Sequence, residues 1–219
     1  MNSKSDIICV TNRHLCRGDY RDTLVRIAKA HPHAVILREK DMSEDEYREL
    51  AAWYLDICRE EGTKLYLHYF YEVAKELKPD GLHMPLNRLE ELVGDNTEYQ
   101  DASEQREGTT QLENVKLGTM QFGVSCHSVE DVIRAEALGC SYIVAGHIFD
   151  TDCKKGLPGR GLEFLKSVTS RSTFPVYAIG GITPENINEI RKYSAAGACI
   201  MSSAMESENV EELLDRFRQ

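Results

Sequence analysis

The sequence predicts a single α/β domain of the (β/α)8 TIM-barrel class, and three observations point there. Eight short runs rich in Val, Ile, Tyr and Phe alternate with segments of helical period. The helical segments carry their own start and stop residues, and 219 residues suit one undivided barrel. The candidate strands are DIICVTN (6–12), HAVILRE (33–39), KLYLHY (64–69), DGLHM (80–84), TMQFGVS (119–125), SYIVAG (141–146), FPVYAIG (174–180) and the stretch ending in ACIMSS at 203.

The connecting helices follow in order. After the second strand, Ser43 with Glu46 forms a capping box, Tyr47, Leu50, Ala51, Tyr54, Ile57 and Cys58 fall on one face, and Gly62 stops the helix. Ser128 opens a helix that Gly139 closes, and Thr183 with Pro184 predicts a cap and a first-turn proline after strand seven. Val210, Leu213, Leu214 and Phe217 give the last helix a buried stripe. One interval, about 95–115, has few apolar residues and no period, and reads as a polar surface insertion in a domain otherwise spanning 1–219.

Composition narrows the class of protein. The chain is 42% hydrophobic and 28% charged, and no run approaches the ~18 apolar residues needed to span a bilayer. A net charge of −10 opposes binding to nucleic acid or an anionic membrane. Seven scattered cysteines without CxxC or zinc-like spacing predict reduced thiols, and the N-terminus shows no secretory pattern, so a cytoplasmic protein is expected. Assembly into a homo-oligomer is left open.

In a barrel of this kind the chemistry sits at the C-terminal ends of the strands. The residues there are Arg38 and Lys40, His68, His83, Ser125 with His127, His147, Gly180 with Gly181, and Ser202 with Ser203. Gly180 and Gly181 leave a strand just before an expected helix start, where backbone amides can approach a phosphate, and Ser202 and Ser203 add hydroxyls beside them. A tight βα turn explains a lone glycine pair better; with eight strands and the serine pair in place, phosphate is favoured. The segment GHIFDTDCKKGLPGRG (146–161) puts Lys154, Lys155 and Arg160 at the mouth of an acidic protein, where they can steer an anion, although solvated loop lysines read the same way. His147 opens this segment at a strand end, as suits an acid/base titrating near ~6.5. No carboxylate stands at metal-ligand spacing from His68 or His83, and no metal site is expected.

LREK (37–40), DGLHM (80–84), GVSCHS (123–128), SYIVAGHIF (141–149), CKK (153–155) and AIGGITPEN (178–186) together resemble the thiamine phosphate synthase superfamily. The resemblance implies a barrel that makes the thiazole part of thiamine or joins it to the pyrimidine. The synthase branch uses magnesium held by aspartates, but His68 and Tyr69 stand where its Asn-Asp pair would follow strand three, and Arg88 stands where its second aspartate would lie. The strand-six exit GHIFDTDCKKGLPGRG is similar to the TenI-like thiazole tautomerase branch, which needs no metal and has a histidine at the position of His147 where the synthase has proline.

That likeness implies an isomerase that aromatises a carboxy-dihydrothiazole ethyl phosphate without a cofactor. His147 would transfer the proton, Gly180, Gly181, Ser202 and Ser203 would bind the phosphate, and Arg38, Lys40, Ser125 and Lys154 would contact the substrate. Two alternatives stand beside it. One is a thiamine phosphate synthase, a transferase joining a pyrimidine diphosphate to a thiazole phosphate with Mg2+; the other is a noncatalytic barrel that binds a thiamine precursor.

Overall fold

The computed structural model describes residues 6–97 and 118–219, so most of the expected insertion at 95–115 lies outside the described residues. The eight expected strands form a closed parallel barrel: β1 (Asp6–Val10), β2 (Ala34–Leu37), β3 (Leu65–His68), β4 (Gly81–Pro85), β5 (Gln121–Cys126), β6 (Tyr142–Gly146), β7 (Val176–Ile179) and β8 (Gly197–Ile200). Each pairs in parallel with the next, and β8 closes on β1 with Ile8 opposite Cys199. Helices α1 (Tyr20–Lys29), α2 (Glu44–Glu61), α3 (Tyr71–Leu77), α4 (Leu86–Thr97), α5 (Val129–Leu138), α6 (Gly161–Arg171), α7 (Ile187–Arg191), α8 (Ser202–Glu206) and α9 (Val210–Arg218) occupy the connections and the C-terminus.

Alternation along the strands divides the apolar residues into two cores. Ile7, Cys9, Val35, Leu37, Leu65 and Leu67 face outward and pack under the helices. Ile8, Val10, Ala34, Ile36, Tyr66, Tyr142, Val144, Tyr177 and Cys199 fill the barrel. The inner fill depends on pairing large residues with absent ones. A Cβ on Gly81 would lie 2.6 Å from the Tyr66 ring, and one on Gly123 would lie 1.9 Å from the ring of Tyr142. The tyrosines therefore plug the lower barrel only because neighbouring strands withhold a side chain.

Helix signals hold in most places. The Ser43–Glu46 capping box forms in both directions, with Gly62 ending α2 at φ 68°, and Ser128 and Gly139 bound α5. The helix stripes are buried as expected at Tyr47, Tyr54 and Cys58 and at Val210, Leu214 and Phe217. Two expectations need correction. Helix α4 runs through Thr97, past the expected start of the insertion. The helix after β7 starts at Ile187 and not at Thr183, because the Asn186 side chain accepts from the Thr183 amide at 2.8 Å and holds residues 183–186 as a turn.

Tyr47 shows how an outer helix sets the upper rim. Fully buried on α2, its hydroxyl donates to the Leu37 carbonyl at 2.6 Å and accepts from the His68 amide at 2.8 Å. One phenol thus ties the ends of β2 and β3, immediately before Arg38 and at His68. No helix among the described residues is long and apolar enough to cross a membrane.

Candidate active site

The upper barrel opens into a cavity of about 520 Å³. All nine site residues singled out from the sequence line it: Arg38, Lys40, Ser125, His147, Lys154, Gly180, Gly181, Ser202 and Ser203. Val10, Ile36, Val144, Ile179 and Cys199 complete an apolar wall below them. Among the described residues no carboxylate lines it.

The cationic side comes from the exits of β2 and β6. Arg38 and Lys40 face the cavity while Glu39, between them, turns back into the protein with 2% of its surface exposed. There its carboxylate accepts from the Thr11 hydroxyl at 2.8 Å, the Tyr20 hydroxyl at 2.5 Å and the Arg13 amide at 3.1 Å. The same Thr11 oxygen accepts from the Arg38 amide at 2.9 Å, fixing the backbone from which the guanidinium projects. Glu39 is thus satisfied on its own side. Among the described residues no carboxylate lies in salt-bridge range of Arg38, Lys40 or Lys154.

Burial lowers the Arg38 pKa, and burial with the nearby charges of Arg38 and Lys154 lowers that of Lys40. Lys154 ends a 3-10 turn, Asp152–Lys154, whose Thr151 cap accepts from the Cys153 amide. The mouth loop is pinned by the Gly159 amide to Asp150 at 2.7 Å and by His147, whose Nε2 donates to the Leu157 carbonyl at 3.2 Å.

The opposite side is neutral. Gly180 and Gly181 have φ of 99° and 65°, in the left-handed region that favours glycine. A Cβ on Gly180 would meet the His147 Cβ at 2.3 Å, and one on Gly181 the Asp150 carbonyl at 2.4 Å. Close approach to the β6 loop therefore already requires both glycines, whatever they bind. The helix expected just after them begins only at Ile187, so the dipole contribution foreseen there falls away; the five-residue α8 begins at Ser202 itself. What remains for an anion is backbone amides with the Ser202 and Ser203 hydroxyls.

The floor between the two sides carries a histidine pair that strand register brings together, with His68 opposite His83 and ring centroids 6.1 Å apart. His83 sits between Tyr142 OH at 3.2 Å and Ser125 Oγ at 3.0 Å. Burial, then the Arg38 charge, brings its pKa down to about 3, and burial with His83, Arg38 and Lys40 holds His68 well below the ordinary imidazole value. Both rings are neutral at pH 7. His127, at the next exit, donates from Nδ1 to the Gly146 carbonyl at 2.8 Å.

Magnesium, which the resemblance implies for a synthase, does not fit the described residues. It needs hard oxygen donors, above all carboxylates, and the cavity supplies none. Tyr69 and Arg88, at the two positions where aspartates would be sought, contact each other, the guanidinium lying 5.3 Å from the ring centroid. Among the described residues no three His, Cys, Asp or Glu side chains gather to hold a metal.

Comparison with known proteins supplies the chemical context. The family model described as thiamine monophosphate synthase matches residues 7–102 and 103–204. The thiamine-phosphate synthase of Syntrophomonas wolfei is 30% identical, covering 100% of this chain and 97% of the relative. That of Clostridium tetani is 24% identical over 99% of this chain and 95% of its own length. The solved thiamine phosphate pyrophosphorylase from Pyrococcus furiosus superposes with a TM-score of 0.75 at 22% identity, covering 97% of this chain and 93% of that one, a likeness of fold. These full-length relatives carry the name of a transferase. They overturn the thiazole tautomerase, and with it the isomerase, expected from the strand-six segment alone.

Proposed function

Because the chain belongs to the thiamine monophosphate synthase family, we propose that it is a transferase joining a pyrimidine diphosphate to a thiazole phosphate. The observation that carries the proposal is that one cavity is lined on two sides by donors of different chemistry, either of which suits an anion. Arg38, Lys40 and Lys154 bring positive charge from the β2 and β6 exits with no salt bridge among the described residues, whereas Gly180, Gly181, Ser202 and Ser203 offer neutral donors from the β7 and β8 exits. A reaction with two phosphorylated substrates needs two such places.

In the joining step the bond from the pyrimidine's carbon to the diphosphate oxygen breaks, and its electron pair leaves with that oxygen. The lone pair of the thiazole nitrogen forms the new carbon–nitrogen bond, and the thiazole ring becomes a cation. No proton need move for the balance to close. The side chains required are therefore those that hold charge and geometry. The cationic side takes the highly charged diphosphate, and the amides and hydroxyls at β7 and β8 take the thiazole's phosphate monoester.

Ser125, backed by His83 on Tyr142, presents a fixed hydroxyl to the rings between the two sites. His147 has no proton to shuttle in this reaction and holds the loop that carries Lys154 through its bond to Leu157. The seven free thiols support a cytoplasmic setting.

The test is to supply both substrates to the purified protein and follow thiamine phosphate by mass spectrometry alongside released inorganic pyrophosphate. The two products should appear in equal amounts. Failure to form the joined product with both substrates saturating would overturn the assignment.

A further inference from the structure

We propose that the leaving diphosphate is neutralised by the fixed cations Arg38, Lys40 and Lys154, so that this barrel needs no divalent metal ion for the joining step. The inference rests on the transferase reading above and concerns how that same site meets its charge.

Three observations converge on it. The first is the absence of competition: among the described residues the cavity is lined by three cations and no carboxylate, and Glu39, the nearest acid in sequence, is consumed by Thr11, Tyr20 and the Arg13 amide. Cations brought together with no salt bridge among the described residues repel each other, Glu39 acting on Arg38 only from its own side, and a polyanion relieves that repulsion. The lowered Lys40 pKa, caused by burial and then by Arg38 and Lys154, reports the same crowding.

The second is the construction of the rim. Tyr69 follows His68 in a left-handed conformation, φ 73°, held by its amide donating to the His83 carbonyl at 3.0 Å. Arg88, in the first turn of α4, lays its guanidinium on the Tyr69 ring and pairs with Glu91 on the same helix. An aromatic face attracts a cation by its quadrupole and is no ligand for magnesium, and the guanidinium repels any divalent ion at that edge. The two positions are occupied by side chains that satisfy each other.

The third is the pair of neutral histidines on the floor. Their low pKa values leave them uncharged at neutral pH, so they neither compete for the anion's charge nor supply a hard oxygen donor. Taken together, the described residues that line the cavity are positive or neutral, with Asp150 and Asp152 in the mouth loop outside that lining, which suits an anion bare of metal and opposes an ion pair of magnesium with diphosphate.

The decisive measurement is calorimetric titration of inorganic pyrophosphate into the full chain, once in EDTA and once in millimolar MgCl2. Pyrophosphate should bind in EDTA, and Mg2+ should weaken binding several-fold by competing for the ligand's charge. Arg38→Ala and Lys154→Ala should each weaken it by tenfold or more in EDTA. Binding that appears only with Mg2+ would overturn the proposal. The double variant Tyr69→Asp with Arg88→Asp provides the converse: Mg2+ should now strengthen pyrophosphate binding, and a folded double variant still weakened by Mg2+ would count against the rim's part in it.

The two readings fail separately in a turnover assay run in EDTA and in MgCl2. Joined product in EDTA upholds both. Product only with Mg2+ overturns metal independence and leaves the transferase. No product in either, with pyrophosphate bound in EDTA, overturns the transferase and upholds the metal-free anion site.

Discussion

The lower and upper halves of the barrel interior are built from the same eight strands and solve opposite problems. Below, Tyr66 and Tyr142 fill the space that Gly81 and Gly123 leave, and the phenol oxygens are satisfied by Gln121 at 2.5 Å and by His83 at 3.2 Å. Above, the wall opens, and Arg38, Lys40 and Lys154 face the cavity without a counter-ion among the described residues. The difference teaches where stability and function reside: one half is complete without a ligand, and the other is left incomplete in a way a polyanion would complete. Changes below should therefore cost folding and changes above should cost binding.

The sharpest way to break the comparison is Gly123→Val. Its Cβ would fall inside the Tyr142 ring, so overpacking should cost about 3 kcal/mol or more and leave little folded protein in chemical denaturation. A Gly123→Val protein with wild-type stability would mean the tyrosine plug is soft. Next in size comes Arg38→Ala. It should lower kcat/KM of the joining reaction by roughly 10²- to 10³-fold while the Tm stays level or rises, since a crowded charge has gone. A fall in Tm with activity retained would reverse the assignment of the two halves.

Acidity probes the boundary between them. The native His83 pKa lies near 3 against 6.5 for the free side chain, and His68 is also depressed. A depressed imidazole is neutral in the fold, while the unfolded chain takes up protons below pH 6.5. Stability is thus fully present above that pH and is lost as pH falls towards 3, by about 1.4 kcal/mol per pH unit for His83, with His68 acting in the same direction. Denaturant midpoints measured from pH 7 to 4 should fall accordingly, and His83→Asn should flatten the slope. The smallest effect is expected at the neutral anion site: Ser203→Ala removes one donor among several and should raise KM for the thiazole phosphate about fivefold with kcat unchanged. An unchanged KM would move the monoester elsewhere.

Much of this was legible in the sequence, for identifiable reasons. The strands announced themselves by β-branched and aromatic runs, and α2 and α5 by caps that are local in sequence. Thr183 misled because a side chain three residues on, Asn186, captured its amide and delayed the helix. In the site, residues at strand ends were readable because topology alone places them. What stayed hidden depended on contacts across long separations: Thr11 with Glu39, Tyr47 with His68, Tyr69 with Arg88, and His83 with Tyr142. The alternating order of LREK was in view, yet nothing local said that Glu39 would be sequestered. The tautomerase expectation failed for another reason. It rests on the sixteen residues 146–161 and on two missing aspartates, a local pattern, whereas the relatives that match nearly the whole chain are named synthases.

The alternation at the end of β2 makes the sign of the active site a matter of counting. Arg38 and Lys40 look one way and Glu39 the other because successive residues along extended chain point to opposite sides. A single residue inserted or deleted between Leu37 and Arg38 would exchange them, sending a carboxylate into the cavity and two cations towards Thr11 and Tyr20. The composition would scarcely change, yet a polyanion trap would become a repeller. A change of frame at the β2 exit would therefore alter the sign of the cavity wall more than any single substitution there.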